Sequence, residues 1–147
     1  DILVQSSKLK PITASKNYYV NSTDEYPILF IIAALTKGVS KFKGIQELAN
    51  KESNRITEMQ RVLKQAGIKT IASKNELKIF GKDRISLINK KIIIPNLGDH
   101  RICMSSFILS ILIGAKTKIK NFETVYTSAP SFLKIMKSLG VKFEKKN

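Results

Sequence analysis

The chain has 147 residues, of which 43% are hydrophobic and 25% charged, the make-up of one globular domain rather than of a disordered segment. A single cysteine excludes a disulfide framework, and the longest apolar run, Ile28 to Leu35, falls far short of the ~20 residues that cross a bilayer. The net charge of +15 favours phosphate-bearing partners: nucleic acid, anionic lipid or phosphorylated metabolites. The lysines are spread along the whole chain, however, as on a solvated surface.

In chain order, Asp1-Ile2-Leu3-Val4-Gln5 reads as a strand already under way. It lacks the basic start and apolar core of a signal peptide, so a reducing, cytoplasmic setting is expected. Residues 6–23 are polar and irregular. Asp24-Glu25-Tyr26-Pro27 then opens an apolar helix over Pro27–Lys37, with proline in the first turn, where its missing N–H does no harm. A strand follows over Val39–Lys43. Lys51-Glu52-Ser53-Asn54-Arg55 leads into an amphipathic helix over Arg55–Ala66, with Ile56, Met59, Val62 and Leu63 on its inner face. Strand Ile68–Ala72 comes next, and strands Leu77–Phe80 and Lys91–Ile94 are expected to join two units across a turn at Gly81-Lys82-Asp83. Asp99-His100-Arg101 opens a helix over His100–Ile113, followed by strand Thr117–Asn121. Thr127-Ser128-Ala129-Pro130 precedes a helix over Pro130–Leu139, and strand Val141–Glu144 closes the order.

This order repeats. Asp24 and Asp99, each before an apolar helix, lie 75 residues apart, and Gly67 and Gly140, each after an amphipathic one, lie 73 apart. Both glycines fall where a left-handed helix cap is expected. The period is too long for a solenoid and reads as a duplicated α/β unit, with helices packed on sheets. A lone strand ahead of two units suggests that the protein is incomplete.

The chemically useful side chains gather at helix starts, where unpaired N–H groups attract anions. Lys51, Arg55 and Arg101 add cationic charge there, and arginine suits planar anions. Asp24 and Asp99 also serve as ordinary helix caps. A lone histidine without a cysteine cluster argues against a metal site, and Cys103 sits among core-type residues. Neither a glycine-rich phosphate loop nor a Gly-x-Ser-x-Gly elbow is present.

Five segments in order carry a family resemblance: Ser6-Ser7-Lys8-Leu9-Lys10 with Ile12-Thr13, Asp24-Glu25-Tyr26-Pro27-Ile28-Leu29, Lys51-Glu52-Ser53-Asn54-Arg55, Gly98-Asp99-His100-Arg101-Ile102-Cys103-Met104, and Thr127-Ser128-Ala129-Pro130. Together they resemble the C-terminal part of the 5-enolpyruvylshikimate-3-phosphate synthase (3-phosphoshikimate 1-carboxyvinyltransferase) family, in its glyphosate-tolerant bacterial branch. The resemblance implies an α/β domain of βαβαββ units, three to a domain, arranged as an inside-out α/β barrel. Residues 1–147 would form one partial C-terminal domain: 1–22 the end of a preceding unit with its connector, 23–81 a first repeat and 82–147 a second.

The implied activity moves the enolpyruvyl group of phosphoenolpyruvate to the 5-hydroxyl of shikimate 3-phosphate, with release of phosphate, on the route to chorismate and the aromatic amino acids. Asp24 and Glu52 are the implied catalytic carboxyls. Asp24 and Lys51 would contact shikimate 3-phosphate, and Arg55, His100 and Arg101 would contact phosphoenolpyruvate. Thr127 is a further candidate. The resemblance implies no cofactor, no metal and no nucleic-acid or membrane partner. It does imply a missing N-terminal domain, so the fragment is expected to be inactive alone. Three departures stand out: Asn54 replaces an aspartate of the pattern, Thr127 stands where many members carry lysine, and Ala129 stands where a large aromatic is common. The alternatives are a basic nucleic-acid-binding module, favoured by charge alone, and a lobe of the sister transferase acting on UDP-N-acetylglucosamine.

Overall fold

A computed structural model describes residues 1–3, 5–83 and 91–145. Its strands are β1 (Thr13–Ala14), β2 (Gly38–Lys43), β3 (Lys69–Ala72), β4 (Glu76–Gly81), β5 (Lys91–Ile94) and β6 (Lys116–Ile119). Its helices are α1 (Lys16–Ser22), α2 (Tyr26–Ala34), α3 (Arg55–Gln65), α4 (His100–Ile113) and α5 (Phe132–Ser138), with 3-10 turns over Thr23–Glu25, Gln46–Asn50 and Phe122–Thr127.

One sheet has the order β1-β2-β4-β3, with β1 parallel to β2 and both other pairings antiparallel. From Thr13 to Gly81 the chain therefore traces a β-α-β-α-β-β unit in which α1 and α2 together make the first helical crossover. The order β5-α4-β6-α5 repeats its first four elements, with β5 parallel to β6. The duplicated α/β architecture expected from the sequence is present.

Period-two alternation explains the first sheet. Ser40 and Phe42 of β2 and Leu77 and Ile79 of β4 face the core, while Lys41 and Lys43 are exposed. Helix α2 is apolar nearly all round because it packs against α3, α4 and β4 together. Its Tyr26 and Phe30 meet Phe42 edge-on at 5.7 and 4.9 Å between ring centroids. Helix α3 buries Ile56, Met59, Val62 and Leu63, the predicted face.

Several expectations are corrected. Residues 1–3 and 5–12 form no strand (Val4 lies outside the described residues), and Ile2 and Leu3 are exposed. The polar segment 6–23 holds β1 and α1, which a sequence pattern misses because α1 buries only Tyr19. Strand β4 pairs with β2 and β3 rather than with β5, and β5 pairs with β6. Gly81 is accordingly no turn residue. It ends β4 where a Cβ would lie 2.1 Å from the carbonyl oxygens of both Ala33 and Thr36, so only glycine lets this strand approach the end of α2. Residues 141–145 form no strand. Helix α4 leaves Ile111 and Leu112 exposed, and α5 leaves Ile135 and Leu139 exposed, so neither is covered as its pattern predicts.

Candidate active site

Three segments remote in sequence converge at the starts of α2, α3 and α4. Arg55 is the first residue of α3, and its side chain is 1% exposed. Each of its nitrogens meets a different carboxylate. Nε donates to Asp99 Oδ2 at 3.0 Å, Nη1 to Asp24 Oδ1 at 3.1 Å and Nη2 to Glu52 Oε2 at 2.6 Å. A buried guanidinium persists only with such partners. Burial alone would favour its neutral form, but the hydrogen bond and charge of Asp99, then Asp24 and Glu52, outweigh it and raise the pKa.

Asp99 is fully buried and doubly engaged. As N-cap of α4, its Oδ1 accepts from the backbone N–H of Arg101 at 3.0 Å and of Ile102 at 3.3 Å. Its Oδ2 accepts from Arg55 and from Ser53 Oγ at 2.9 Å. The sequence showed the capping role but not the ion pair, which spans 44 residues.

Asp24 behaves differently. It lies in the 3-10 turn before α2, a helix whose first turn has no side-chain cap. Its carboxylate instead turns to Arg55 and to Arg101, whose Nη2 donates to Oδ2 at 3.3 Å and whose Nη1 donates to the Asp24 carbonyl at 3.3 Å. Partial burial pushes the Asp24 carboxyl up. The Arg55 hydrogen bond and the charges of Arg101, Arg55 and Lys51 overcome that and hold it below its ordinary value.

Arg101 is the more open guanidinium, with its side chain 32% exposed. Its Nε–H is buried without an acceptor among the described residues. Asp24 and Arg101 form the polar end of a cavity of ≈ 180 Å³, whose walls are Ile28, Met104, Ser105, Ile108 and Phe132. None of these five wall residues was singled out as a site residue from sequence, because the chain order does not show that α2, α4 and α5 share one recess.

The EPSP synthase (3-phosphoshikimate 1-carboxyvinyltransferase) family model matches residues 2–136, nearly the whole chain. The chain belongs to the EPSP synthase family. It is 32% identical over all 147 residues to the 3-phosphoshikimate 1-carboxyvinyltransferase of Paramagnetospirillum magneticum, of which it covers 32%. It is 38% identical over 137 residues to that of Clostridium tetani, covering 93% of this chain and 31% of the relative. The chain thus spans about a third of the length of these relatives. Among solved structures, EPSP synthase from Acinetobacter baumannii superposes with a TM-score of 0.74 at 32% identity, covering 89% of this chain and 30% of the other. The enolpyruvyl transferase NikO from Streptomyces tendae gives 0.71 at 13% identity, which bears on the fold alone.

Within this chain, the structure joins Asp24, Glu52, Arg55 and Arg101 in one network. Lys51 is exposed and close enough for its charge to act on Asp24. His100 opens α4, half-buried and without a hydrogen bond among the described residues. Thr127 stands apart. It is exposed and donates only to the Thr124 carbonyl, although Thr124 Oγ1 in turn bonds Gly98, the residue before Asp99. Asn54, the departure from the family pattern, caps α3 by accepting from the Thr57 N–H at 3.1 Å. That bond needs only a side-chain oxygen, which asparagine and aspartate both provide. Cys103 packs in the core, and burial pushes its thiol up to about 11.

Among the described residues, no helix is long and apolar enough to cross a membrane. No group of three or more His, Cys, Asp or Glu there could hold a metal ion.

Proposed function

We propose that this chain supplies one wall of an active site that transfers the enolpyruvyl group of phosphoenolpyruvate to the 5-hydroxyl of shikimate 3-phosphate, releasing phosphate. An N-terminal half of the same enzyme would supply the other wall. Residues 1–147 are read as a partial C-terminal domain: 1–22 the end of a unit and its connector, 23–81 and 82–147 two repeats. Family membership and the names of the relatives support the reaction. The meeting of Asp24, Glu52 and Arg101 around Arg55 is the observation that carries it to these residues.

The reaction has two steps. In the addition, the methylene carbon of phosphoenolpyruvate gains a proton, and the 5-oxygen bonds to the adjacent carbon as it loses its own. In the elimination, the new methyl group gives up a proton, the carbon–oxygen bond to phosphate breaks, and phosphate leaves with the electron pair. Asp24, held ionised, accepts the hydroxyl proton, and Glu52 serves the methyl carbon. Lys51 takes the 3-phosphate. Arg101, His100 and Arg55 take the carboxylate and phosphate of phosphoenolpyruvate, and Thr127 is a further contact. Arg101 is the readiest of these, since its Nε–H lacks an acceptor among the described residues. Arg55 meets a ligand only once Glu52 or Asp24 turns away from it. An anion that draws Arg101 from Asp24 also strengthens Asp24 as a base.

Ligand-detected NMR on the chain tests this reading. Shikimate 3-phosphate and phosphoenolpyruvate should bind, UDP-N-acetylglucosamine should not, and Arg101→Ala should abolish the phosphoenolpyruvate signal. Preference for the UDP-sugar, or binding of neither substrate, overturns it. Because ligands are held from one side only, no turnover by the isolated chain is expected, and turnover at the rate of a full-length relative would refute the one-wall reading.

A further inference from the structure

The carboxylate that the proposed reaction does not use, Asp99, is buried with both oxygens engaged. It is 0% exposed and accepts four hydrogen bonds: two from the start of α4, one from Ser53 and one from Arg55. A cap needs only Oδ1. The second oxygen grips Arg55 at Nε, the base of the guanidinium fork. Fixing Nε fixes the plane and direction of a rigid group whose two remaining nitrogens point at Asp24 and at Glu52. Asp24 and Glu52 are themselves about half exposed, and Arg55 bonds them both.

We propose that Asp99 is a positioning residue: through Arg55 it sets the placement of Asp24 and Glu52, and through its cap it sets the start of α4, which carries His100 and Arg101. One buried carboxylate thereby registers α3 against α4 and both carboxyls against the open guanidinium. This rests on the reading of Asp24 and Glu52 as the proton-handling groups.

Asp99→Asn is a selective test. The amide oxygen can still cap α4, while the amide N–H₂ turned to Arg55 repels the Nε–H. Positioning and simple charge then predict opposite signs. If Asp99 were only a neighbouring charge, its loss would leave Arg55 in place, remove a like charge and lower the Asp24 pKa further. If Asp99 aims Arg55, its loss releases the fork, and Asp24 rises toward its ordinary 3.8.

The measurements are the ¹³C-carboxyl titration of Asp24 and the exchange rate of the Arg55 Nε–H in the full 147-residue chain. A rise in the Asp24 pKa with exchange faster by about tenfold or more supports the proposal. An unchanged or lowered Asp24 pKa in a folded variant overturns it. Should Asp99→Asn fail to fold, Ser53→Ala leaves every charge in place and loosens Oδ2 alone. A smaller rise in the same direction supports the proposal, and no change overturns it. Neither readout needs a substrate, so failure to bind shikimate 3-phosphate or phosphoenolpyruvate would sink the proposed function and leave this result legible.

Discussion

Two arginine ion pairs on the same helix show how much environment decides. Arg55 and Asp99 are both buried, whereas Arg61 pairs with Glu58 in the open, its side chain 53% exposed. Arg55→Leu leaves Asp99 charged and unpaired in the core and should destabilise the chain by about 3–5 kcal/mol. Arg61→Ala should cost under ~1 kcal/mol. Urea denaturation measures both, and equal effects would contradict the burial argument. Asp24 carries a pH signature. Its pKa is depressed in the folded state, so its contribution to stability is fully present above the ordinary 3.8 and is lost as pH falls through its lower folded value. The stability gap between the wild type and Asp24→Asn should therefore be constant at neutral pH and close below pH 3.8. A gap that widens in acid would reverse the assigned sign.

At the scale of elements, one small contact fixes the start of α3 and another registers the repeats. Asn54 caps α3, and Asn54→Ala should cost about 1 kcal/mol, as loss of a helix cap does. Near the other end of α3, the Gln65 amide mimics a neighbouring strand. Its Oε1 accepts from the Ile93 N–H at 2.8 Å, and its Nε2 donates to the Ile93 carbonyl at 3.1 Å. This closes the edge of β5 that β6 leaves open and ties the first unit to the second. Gln65→Leu removes both bonds and should cost about 1–2 kcal/mol. Hydrogen exchange at the Ile93 amide should quicken selectively, and unchanged protection there would show that the amide pair contributes nothing.

For the whole molecule, the charge of +15 is a stability matter as well as a lure for anions. Lysines stand directly opposite each other in both sheets, Lys41 against Lys78 and Lys91 against Lys116, and like charges so placed repel. Screening is nearly complete beyond ~8 Å at physiological salt. The melting temperature should therefore rise between ~10 mM and ~0.3 M sodium chloride. A falling melting temperature would mean that the ion-pair network around Arg55 outweighs the surface repulsion.

The sequence alone determined the repeat, the type of most helices and strands, the inner face of α3 and the segments that hold the chemical residues. Those features are written in short-range periodicity, caps and glycines, which a linear pattern records. It did not determine that β4 turns back to β2, that Gly81 is a point of close approach, or that residues 141–145 form no strand, because pairing depends on what lies alongside. The local pattern showed Asp24 and Asp99 alike as helix caps, and only the family resemblance set Asp24 apart. The tertiary structure gives the two different surroundings, since the fold delivers Arg55 to both and buries Asp99 completely while leaving Asp24 open to the cavity. A carboxylate's role follows from its partners and its exposure, and both are settled by residues tens of positions away.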